Sequence, residues 1–459
     1  MNSSKSSRSI APKKHLVFIN YYYPPMGGGG VQRLTKFLKY FDYQKYVVSV
    51  LTVKPSFFYT MDESMLKEIP SAVKVFRSGS LDPFRLLYFF QVIKIKLKRI
   101  FVTEGKTKAN KVKNSNSTHP ESANLIRRIS MFFFVPDSRI LWLPFALIKL
   151  WRLNRLKPIT MIIASMPPFT TGLIGILFQR WKKIPTILDF RDAWTCNPYL
   201  PQMGNIYSTL NERMEKFCVE NAQGLILVNP KLQEYYEKKY SDISAKPVAN
   251  IRNGFDSADF KSISKTAKSP KQSFTIGIMG TIYSQGNRPI TLLRAVEELI
   301  KEQPKFESEI CLKFLGKWSS DFLKLLNQFQ IKRNVELIPY LPHQKALRKA
   351  VEFDVLSLSI ENNLPGKEFV TPGRIYEYMK LGKPILALCS LDSDLAFLIK
   401  EHNAGVAIEY DQTAEIKSQL KKWISNRSTL RELYSFDNLQ KLERRQLTNS
   451  LIEFLESFN

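Results

Sequence analysis

The sequence predicts an α/β protein built from two doubly wound parallel sheets, and three observations support this prediction. Short apolar runs alternate with longer helical patterns in both halves of the chain, which is typical of βαβ units. A stretch rich in Ser and Lys separates the two series at residues 257–273 and is predicted to be a linker. The length of 459 residues suits two or three domains at about 100–200 residues each.

The first series predicts a domain over residues 1–256. An insertion is predicted within it at about 82–135, where Lys and Arg alternate with Phe, Leu and Ile around a polar middle. The predicted helices include 31–41 and 207–221. The predicted strands are the apolar runs 15–20, 47–53, 73–76, 161–165, 185–189 and 224–229.

The second series predicts another domain over residues 274–425. Residues 413–458 have a helical pattern throughout. We expect the helices of residues 426–459 to pack back on the N-terminal domain. The predicted strands are 274–281, 310–315, 335–338, 354–360, 383–389 and 405–409.

Composition narrows the range of partners. The chain has 68 Lys+Arg against 41 Asp+Glu, a net charge of +27, which favours nucleic acid, an anionic membrane surface or phosphorylated small molecules. No known nucleic-acid-binding signature is present. The four Cys and four His residues are scattered, so they predict reduced thiols in a cytoplasmic protein and no metal site. No apolar run reaches the about 18 residues that predict a membrane span.

A glycine loop follows the first predicted strand. Gly28, Gly29 and Gly30 stand just before a predicted helix, where backbone N–H groups and the helix N-terminus suit a phosphate or a developing anion. A dinucleotide fingerprint fails, because Gln32 occupies the position of the third glycine. A flexible turn without a ligand is the alternative.

Further candidates lie at predicted strand ends in the second domain, where doubly wound sheets bind ligands. Gly280 allows close backbone approach, and Arg288 and Lys317 supply positive charge. Pro372 and Gly373 open a helix whose first turns carry Arg374 and Glu377. The Arg can grip a diphosphate in bidentate fashion, and the Glu can accept hydrogen bonds from sugar hydroxyls. Ordinary solvated side chains on a capped helix are the alternative.

An Asp-x-Asp pattern at Asp392-Ser393-Asp394 resembles a metal-binding motif. It opens a predicted helix, so we interpret Asp392 as the N-cap rather than as a metal ligand.

Taken in order, the segments NYYYPPMGGGGVQR, DFRDAW, NGFD, MGTIYSQGNRP, FLGKW and TPGRIYEYMKLGKPI resemble family 4 glycosyltransferases. The resemblance runs from about residue 15 to residue 425. It implies the GT-B fold, in which two Rossmann-like domains face each other across a cleft. It also implies transfer of a sugar from a nucleotide diphosphate sugar, with retention of anomeric configuration and without a metal or other cofactor.

The resemblance also implies roles for particular residues. Arg288 holds the donor diphosphate with help from Lys317, and Glu377, the second Glu of an E-x7-E motif, contacts the donor ribose. Arg288 and Glu377 are therefore the residues on which we expect catalysis to depend. Residues 28–30 face the donor phosphate and the acceptor. Asp189, Arg191 and Asp192 line the acceptor side.

Two positions depart from the family pattern. Phe369 stands where the first Glu of E-x7-E is expected, and Thr281 replaces a basic residue after Gly280. These departures concern contacts to the donor sugar. A catalytically silent scaffold of the same fold, a related sugar-nucleotide epimerase and, further off, a nucleic-acid-binding protein are the alternatives.

The basic and apolar stretches 85–99 and 125–134 suit an anionic membrane surface. We therefore expect a cytoplasmic protein that binds peripherally to the inner face of the membrane and acts on a glycan or lipid-linked acceptor. Basic helices packed on their own domain are the alternative.

Overall fold

The computed structural model describes residues 13–55, 61–81, 134–200, 204–261, 263 and 273–458. The predicted insertion therefore lies outside the described residues except for its last two, and so does most of the predicted linker. The chain divides into two compact units. The first comprises Met1–Phe190, Gln202–Leu225 and Ala245–Pro247, and the second comprises Arg191–Pro201, Ile226–Ser244 and Val248–Asn459.

The first sheet has seven strands in the order β3-β2-β1-β4-β5-β6-β7. Its central strands β1, β4 and β5 are buried almost throughout, which explains why most of their residues are apolar. Strands β1 to β5 pair in parallel. The strands are β1 (Lys14–Ile19), β2 (Tyr46–Val53), β3 (Lys74–Ser78), β4 (Met161–Met166), β5 (Thr186–Phe190), β6 (Gly224–Leu227) and β7 (Val248–Asn250).

Five helices accompany these strands in the part of the chain that the structure describes. Gly175 lets α3 approach the sheet, because a Cβ there would lie 2.8 Å from the Thr186 side chain on β5. The Asn229 side chain accepts a hydrogen bond from the Leu232 amide and caps α5. The helices are α1 (Gly29–Tyr40), α2 (Leu143–Leu156), α3 (Thr170–Lys182), α4 (Asn205–Asn221) and α5 (Pro230–Lys239).

The second sheet has six strands in the order β10-β9-β8-β11-β12-β13, all parallel. Large apolar clusters cover its two faces, one under α6 and α12 and the other under α10 and α11. The strands are β8 (Phe274–Ile282), β9 (Ile310–Trp318), β10 (Val335–Pro339), β11 (Val355–Ser359), β12 (Ile385–Leu388) and β13 (Gly405–Ile408).

Eight helices belong to this part of the described chain. They are α6 (Ile290–Glu302), α7 (Phe306–Glu309), α8 (Ser320–Leu326), α9 (His343–Ala350), α10 (Arg374–Leu381), α11 (Asp394–Glu401), α12 (Thr413–Ser425) and α13 (Arg444–Glu456). No helix in the described ranges is both long and apolar enough to cross a bilayer.

Two parallel sheets with helices confirm the predicted fold class. The prediction that residues 413–458 are helical throughout is wrong. Helix α12 ends at Ser425, and positive φ angles at Phe436 and Asn438 break the helical path before α13. Around these residues the backbone bonds to another loop, with the Asp437 amide donating to the His402 carbonyl oxygen at 2.9 Å.

Candidate functional site

The candidate donor site lies at the carboxyl edge of the second sheet. Strands β8 and β9 run in register there, so that Gly280 pairs with Gly316 and Thr281 with Lys317. The two strands touch closely, since a Cβ on Gly316 would lie 2.0 Å from the Gly280 carbonyl oxygen. The parallel sheet therefore brings the Gly280 and Lys317 positions together, as the sequence predicts.

Gly280 has a φ of 103°, a conformation that favours glycine. A Cβ on this residue would lie 2.1 Å from Nη1 of Arg374. The absence of a side chain at 280 is thus what admits the guanidinium to the end of β8.

Arg374 is the first residue of α10, directly after Pro372 and Gly373. Its Nη1 donates to the carbonyl oxygen of Met279 on β8. Among the residues that the structure describes, no group accepts from its buried Nε. The helix ends at Leu381, and Gly382 caps it in a left-handed conformation with φ of 65°.

Arg288 lies after β8 and forms an ion pair with Glu361, which follows β11. The Arg288 Nε donates to Glu361 Oε1 at 2.9 Å, and its Nη2 donates to Oε2 at 2.6 Å. The Glu361 carboxylate also accepts from the Gly286 and Arg288 amides, at 2.8 and 3.1 Å. The Glu361 side chain is only 5% exposed, whereas that of Arg288 is 24% exposed.

These contacts fix the charge states of the pair. Burial acts to raise the pKa of Glu361, but hydrogen bonds and attraction from Arg288 outweigh it, so the pKa lies below its ordinary value. Hydrogen bonding to Glu361 raises the pKa of Arg288. Both groups are therefore ionised at neutral pH, and Arg288 is held in one orientation.

Glu377 lies one turn into α10 and has a protein partner of its own. His343, the first residue of α9, places Nε2 at 2.7 Å from Glu377 Oε1. An ionised carboxylate can only accept, so His343 carries a proton on Nε2 in this contact. Both side chains are about one-fifth exposed, at 23% and 18%.

Lys317 is exposed at the end of β9, with its Nζ 5.1 Å from the centre of the Tyr340 ring. Two further tyrosines lie in the same unit. Tyr199 and Tyr283 have ring centroids 5.7 Å apart, and both rings are about half exposed. Desolvation of the Tyr199 hydroxyl raises its pKa to about 12.

The glycine loop belongs to the first unit. Gly28 is the N-cap of α1 with φ of 105°, and a Cβ there would meet no atom within 4 Å. Gly29 and Gly30 form the first turn, which contains no acidic residue. The loop therefore presents the positive end of a helix beside open space, as an anion requires.

Asp189 is on β5 and is buried. Its carboxylate accepts from Arg33 Nε at 3.1 Å, Arg33 Nη2 at 2.8 Å and Ser165 Oγ at 2.8 Å. Arg33 is on α1, so this contact ties the helix of the glycine loop to the sheet. Arg191 and Asp192 follow β5 directly, the first buried and the second exposed.

At the two positions that depart from the family pattern, the structure offers no acid or base. Phe369 is buried with its ring 5.0 Å from that of Tyr235, and its carbonyl oxygen accepts from Asn229 Nδ2 at 2.9 Å. Thr281 is an exposed residue of β8.

The interpretation of Asp392 as an N-cap is wrong. The N-cap of α11 is Ser393, whose Oγ accepts from the Ala396 amide. Asp392 instead accepts from Ser390 Oγ at 2.5 Å, and Asp394 forms a bidentate pair with Arg252 at 2.6 and 2.8 Å. Only Ser393 is placed to reach the third amide of the helix.

Sequence reasoning missed three partners, namely Glu361, His343 and Arg33. The first two follow strands β11 and β10, and strand carboxyl ends were a signal that could have drawn attention to them. Arg33 gave no comparable signal, because an Arg on a helix is usually solvated.

No family model matches the sequence, and no curated protein matches it. Solved structures match nearly the whole chain. Sucrose-phosphate synthase from Thermosynechococcus elongatus matches with a TM-score of 0.65 at 11% identity, over 97% of this chain and 99% of that one. Alr3699/HepE of Anabaena in complex with UDP-glucose gives 0.63 at 14%, over 96% and 99%. TarM of S. aureus gives 0.59 at 12%, over 98% and 100%.

These matches show the fold, which is that of the GT-B glycosyltransferases. At such identities the fold is all that they show.

Proposed function

We propose that this chain is a glycosyltransferase that takes a sugar from a nucleotide diphosphate sugar and transfers it to a glycan or lipid-linked acceptor. The observation that carries the proposal is the group of cations at one sheet edge. Arg288 follows β8, Lys317 lies in the last two residues of β9, and Arg374 reaches the end of β8. Three cations on neighbouring elements suit a diphosphate better than a neutral ligand.

The diphosphate is the leaving group of the proposed reaction. Negative charge grows on it as the bond from the sugar C1 breaks, and cations fixed beforehand stabilise that charge without a metal. The Glu361 carboxylate holds the Arg288 guanidinium in place, so little reorganisation is needed. We assign Glu361 as a positioning residue for Arg288.

The donor ribose is assigned to Glu377. A carboxylate at the first turns of α10 can accept from two vicinal hydroxyls, and His343 engages only one of its oxygens in the contact described above. The structures of HepE and TarM that contain UDP make UDP-sugars the first donors to test here.

The acceptor is assigned to the first unit's glycine loop and to the residues after β5. The helix N-terminus at Gly28–Gly30 suits a phosphate or a developing anion. Arg191 and Asp192 stand on the acceptor side, whereas Asp189 acts through Arg33 as a positioning residue.

The proposed transfer retains the anomeric configuration. The acceptor oxygen attacks C1 from the face that the diphosphate leaves, through an oxocarbenium-like state. The bond from C1 to the phosphate oxygen breaks as the bond to the acceptor oxygen forms, and the acceptor proton passes to the leaving diphosphate. No side chain is assigned as a nucleophile.

The chemistry of lipid-linked acceptors favours a protein at the cytoplasmic face of a membrane, in surface polysaccharide or glycolipid synthesis. The excess of Lys and Arg supports this location.

The test is a thermal-shift screen of the full chain against UDP-, GDP- and dTDP-sugars, followed by product analysis with the stabilising donor. A bound donor raises the unfolding midpoint by mass action. Replacing Arg288 or Glu377 with Ala should abolish turnover, whereas Arg333→Ala, at a side chain that is 90% exposed, should leave it unchanged. Full activity in both site variants, or no stabilisation by any donor, would reject the proposal.

A further inference from the structure

Two helices of the first unit carry large apolar side chains in contact with water. On α2, Ile148 is 52% exposed and Leu156 is 78% exposed. On α3, Leu177 is 36% exposed and Trp181 is 55% exposed. Such residues usually lie inside a folded domain, and several together mark an interaction surface.

These side chains form a face rather than isolated positions. On α2 the exposed positions 144, 148, 152 and 156 recur every four residues, which places them along one side of the helix. On α3 the exposed positions 180 and 181 lie three and four residues after position 177, so these three positions also share one side of the helix. The two helices pack against each other. Leu156 lies shortly before β4, and Trp181 lies at the same spacing before β5. Because β4 and β5 are parallel neighbours, both residues lie at the edge of the sheet where these strands begin.

The face is strongly basic. No Asp or Glu occurs between Asp137 and Asp189. The cations on α2, on α3 and directly after them are Lys149, Arg152, Arg155, Lys157, Arg180, Lys182 and Lys183. Lys182 lies over the exposed Trp181 ring at 4.3 Å, and Arg155 lies over the half-buried Trp151 ring at 4.6 Å.

We propose that this α2–α3 face binds an anionic lipid bilayer. Lys and Arg attract acidic headgroups, while Leu and Ile enter the acyl boundary and an indole lies at the interface between them. Nucleic acid would use the cations, but Ile148 and Leu156 would gain nothing from it.

The surface does not depend on the transfer reaction, and its test uses no donor. The full chain is sedimented with phosphatidylcholine vesicles that contain or lack phosphatidylglycerol. We expect binding to the anionic vesicles only. At about fivefold per basic residue, the triple variant Arg152→Gln, Arg155→Gln, Lys157→Gln should bind roughly a hundredfold more weakly.

The matched control removes the same number of positive charges from another part of the chain. Lys324→Gln, Lys332→Gln, Arg333→Gln removes three exposed cations of the second unit and should keep wild-type binding. Equal binding by the triple variant and by this control would overturn the proposal, since the contact would then lie on another surface. Failure of the wild type to bind anionic vesicles would overturn it too.

A second pair of changes separates a bilayer from any polyanion. Leu156→Ser and Trp181→Ser alter exposed side chains and should together weaken binding about tenfold through lost apolar insertion. Their unfolding midpoints are measured first, and Leu156→Ser alone is used if the pair is destabilised. Binding that needs the cations but ignores both apolar changes is polyanion binding, and it would refute the lipid assignment.

Discussion

Replacing Glu361 with Gln tests the buried ion pair that orients Arg288. Gln keeps the oxygen that accepts from Arg288 Nε and from the Gly286 amide, but it turns an NH₂ group toward Arg288 Nη2, where the wild type has a 2.6 Å hydrogen bond. Hydrogen bonds to charged groups contribute about 1.5–3 kcal/mol, and breaking a fully buried pair costs about 3–5 kcal/mol. The Arg288 side chain is 24% exposed, so we expect a loss of about 2–3 kcal/mol at pH 7.

The loss should depend on pH in a defined direction. The pKa of Glu361 is lowered in the folded protein, so its contribution to stability is complete above the unfolded pKa of about 4.5. It disappears as the pH falls through the lower, folded value, because the protonated carboxyl no longer pairs with Arg288. The free energies of unfolding of wild type and variant should therefore differ by a constant amount at roughly pH 6–8, where Glu361 is ionised in both the folded and the unfolded state. The two free energies should converge in acid.

Calorimetry of the full chain measures both effects. A change of about 2–3 kcal/mol corresponds to a shift of about 4–12 °C in the midpoint of a unit of this size. The matched control is Glu302→Gln, which removes a carboxylate that pairs with Lys417 and Lys421 at the surface and should move the midpoint little. The reasoning is refuted if the two variants shift equally, or if the Glu361 difference persists unchanged in acid.

Three further variants test the remaining contacts. Gly280→Ala should destabilise the second unit by about 1–3 kcal/mol and lower donor affinity, because a Cβ at φ 103° would strike the Arg374 guanidinium; calorimetry and donor titration measure this. His343→Asn should raise KM for the donor about tenfold with little change in kcat, because the shorter Asn side chain brings no donor to the position of Nε2 beside Glu377; steady-state kinetics measure the split. Asp189→Asn should cost about 3 kcal/mol, because its partner is a buried guanidinium; calorimetry measures it.

The two stability variants have controls in the same unit. Gly373→Ala introduces a methyl group where no atom lies within 4 Å, so it should leave the Arg374 contact intact. Glu220→Gln removes an exposed carboxylate 3.6 Å from Lys216, and it should change stability far less than Asp189→Asn. If His343→Asn lowers kcat with KM unchanged, His343 acts on the reaction itself and not through Glu377.

The fold was predictable because it depends on patterns that the sequence displays directly. Central strands such as β4 and β11 are short, mainly apolar runs between helical patterns, and their predicted bounds differ from the structure by a residue or two. β7 was missed, since it has three residues and none of them is fully buried. The position of the α11 N-cap failed by one residue, because Asp392 and Ser393 are both good caps and backbone geometry selects between them.

The site was predictable in position but not in pairing. Topology alone places Gly280 and Lys317 at one edge, because parallel strands end together. The partners of Arg288 and Glu377 come from elements 73 and 34 residues away, and their choice depends on side-chain directions that no local pattern encodes. The same holds for Asp189. The family resemblance implies that it lines the acceptor side, and in the structure its carboxylate accepts a hydrogen bond from Arg33.

These pairings explain how a site of this kind avoids reorganisation. A flexible guanidinium that must be immobilised on binding costs about 0.5–1.5 kcal/mol in side-chain entropy. Glu361 meets that cost during folding, and a bidentate carboxylate fixes the plane of Arg288 as well as its position. It follows that Lys at position 288, although equally charged, would lack the fork that Glu361 holds and would leave the charge mobile. Orientation, and not positive charge alone, is what this sheet edge contributes to a leaving diphosphate.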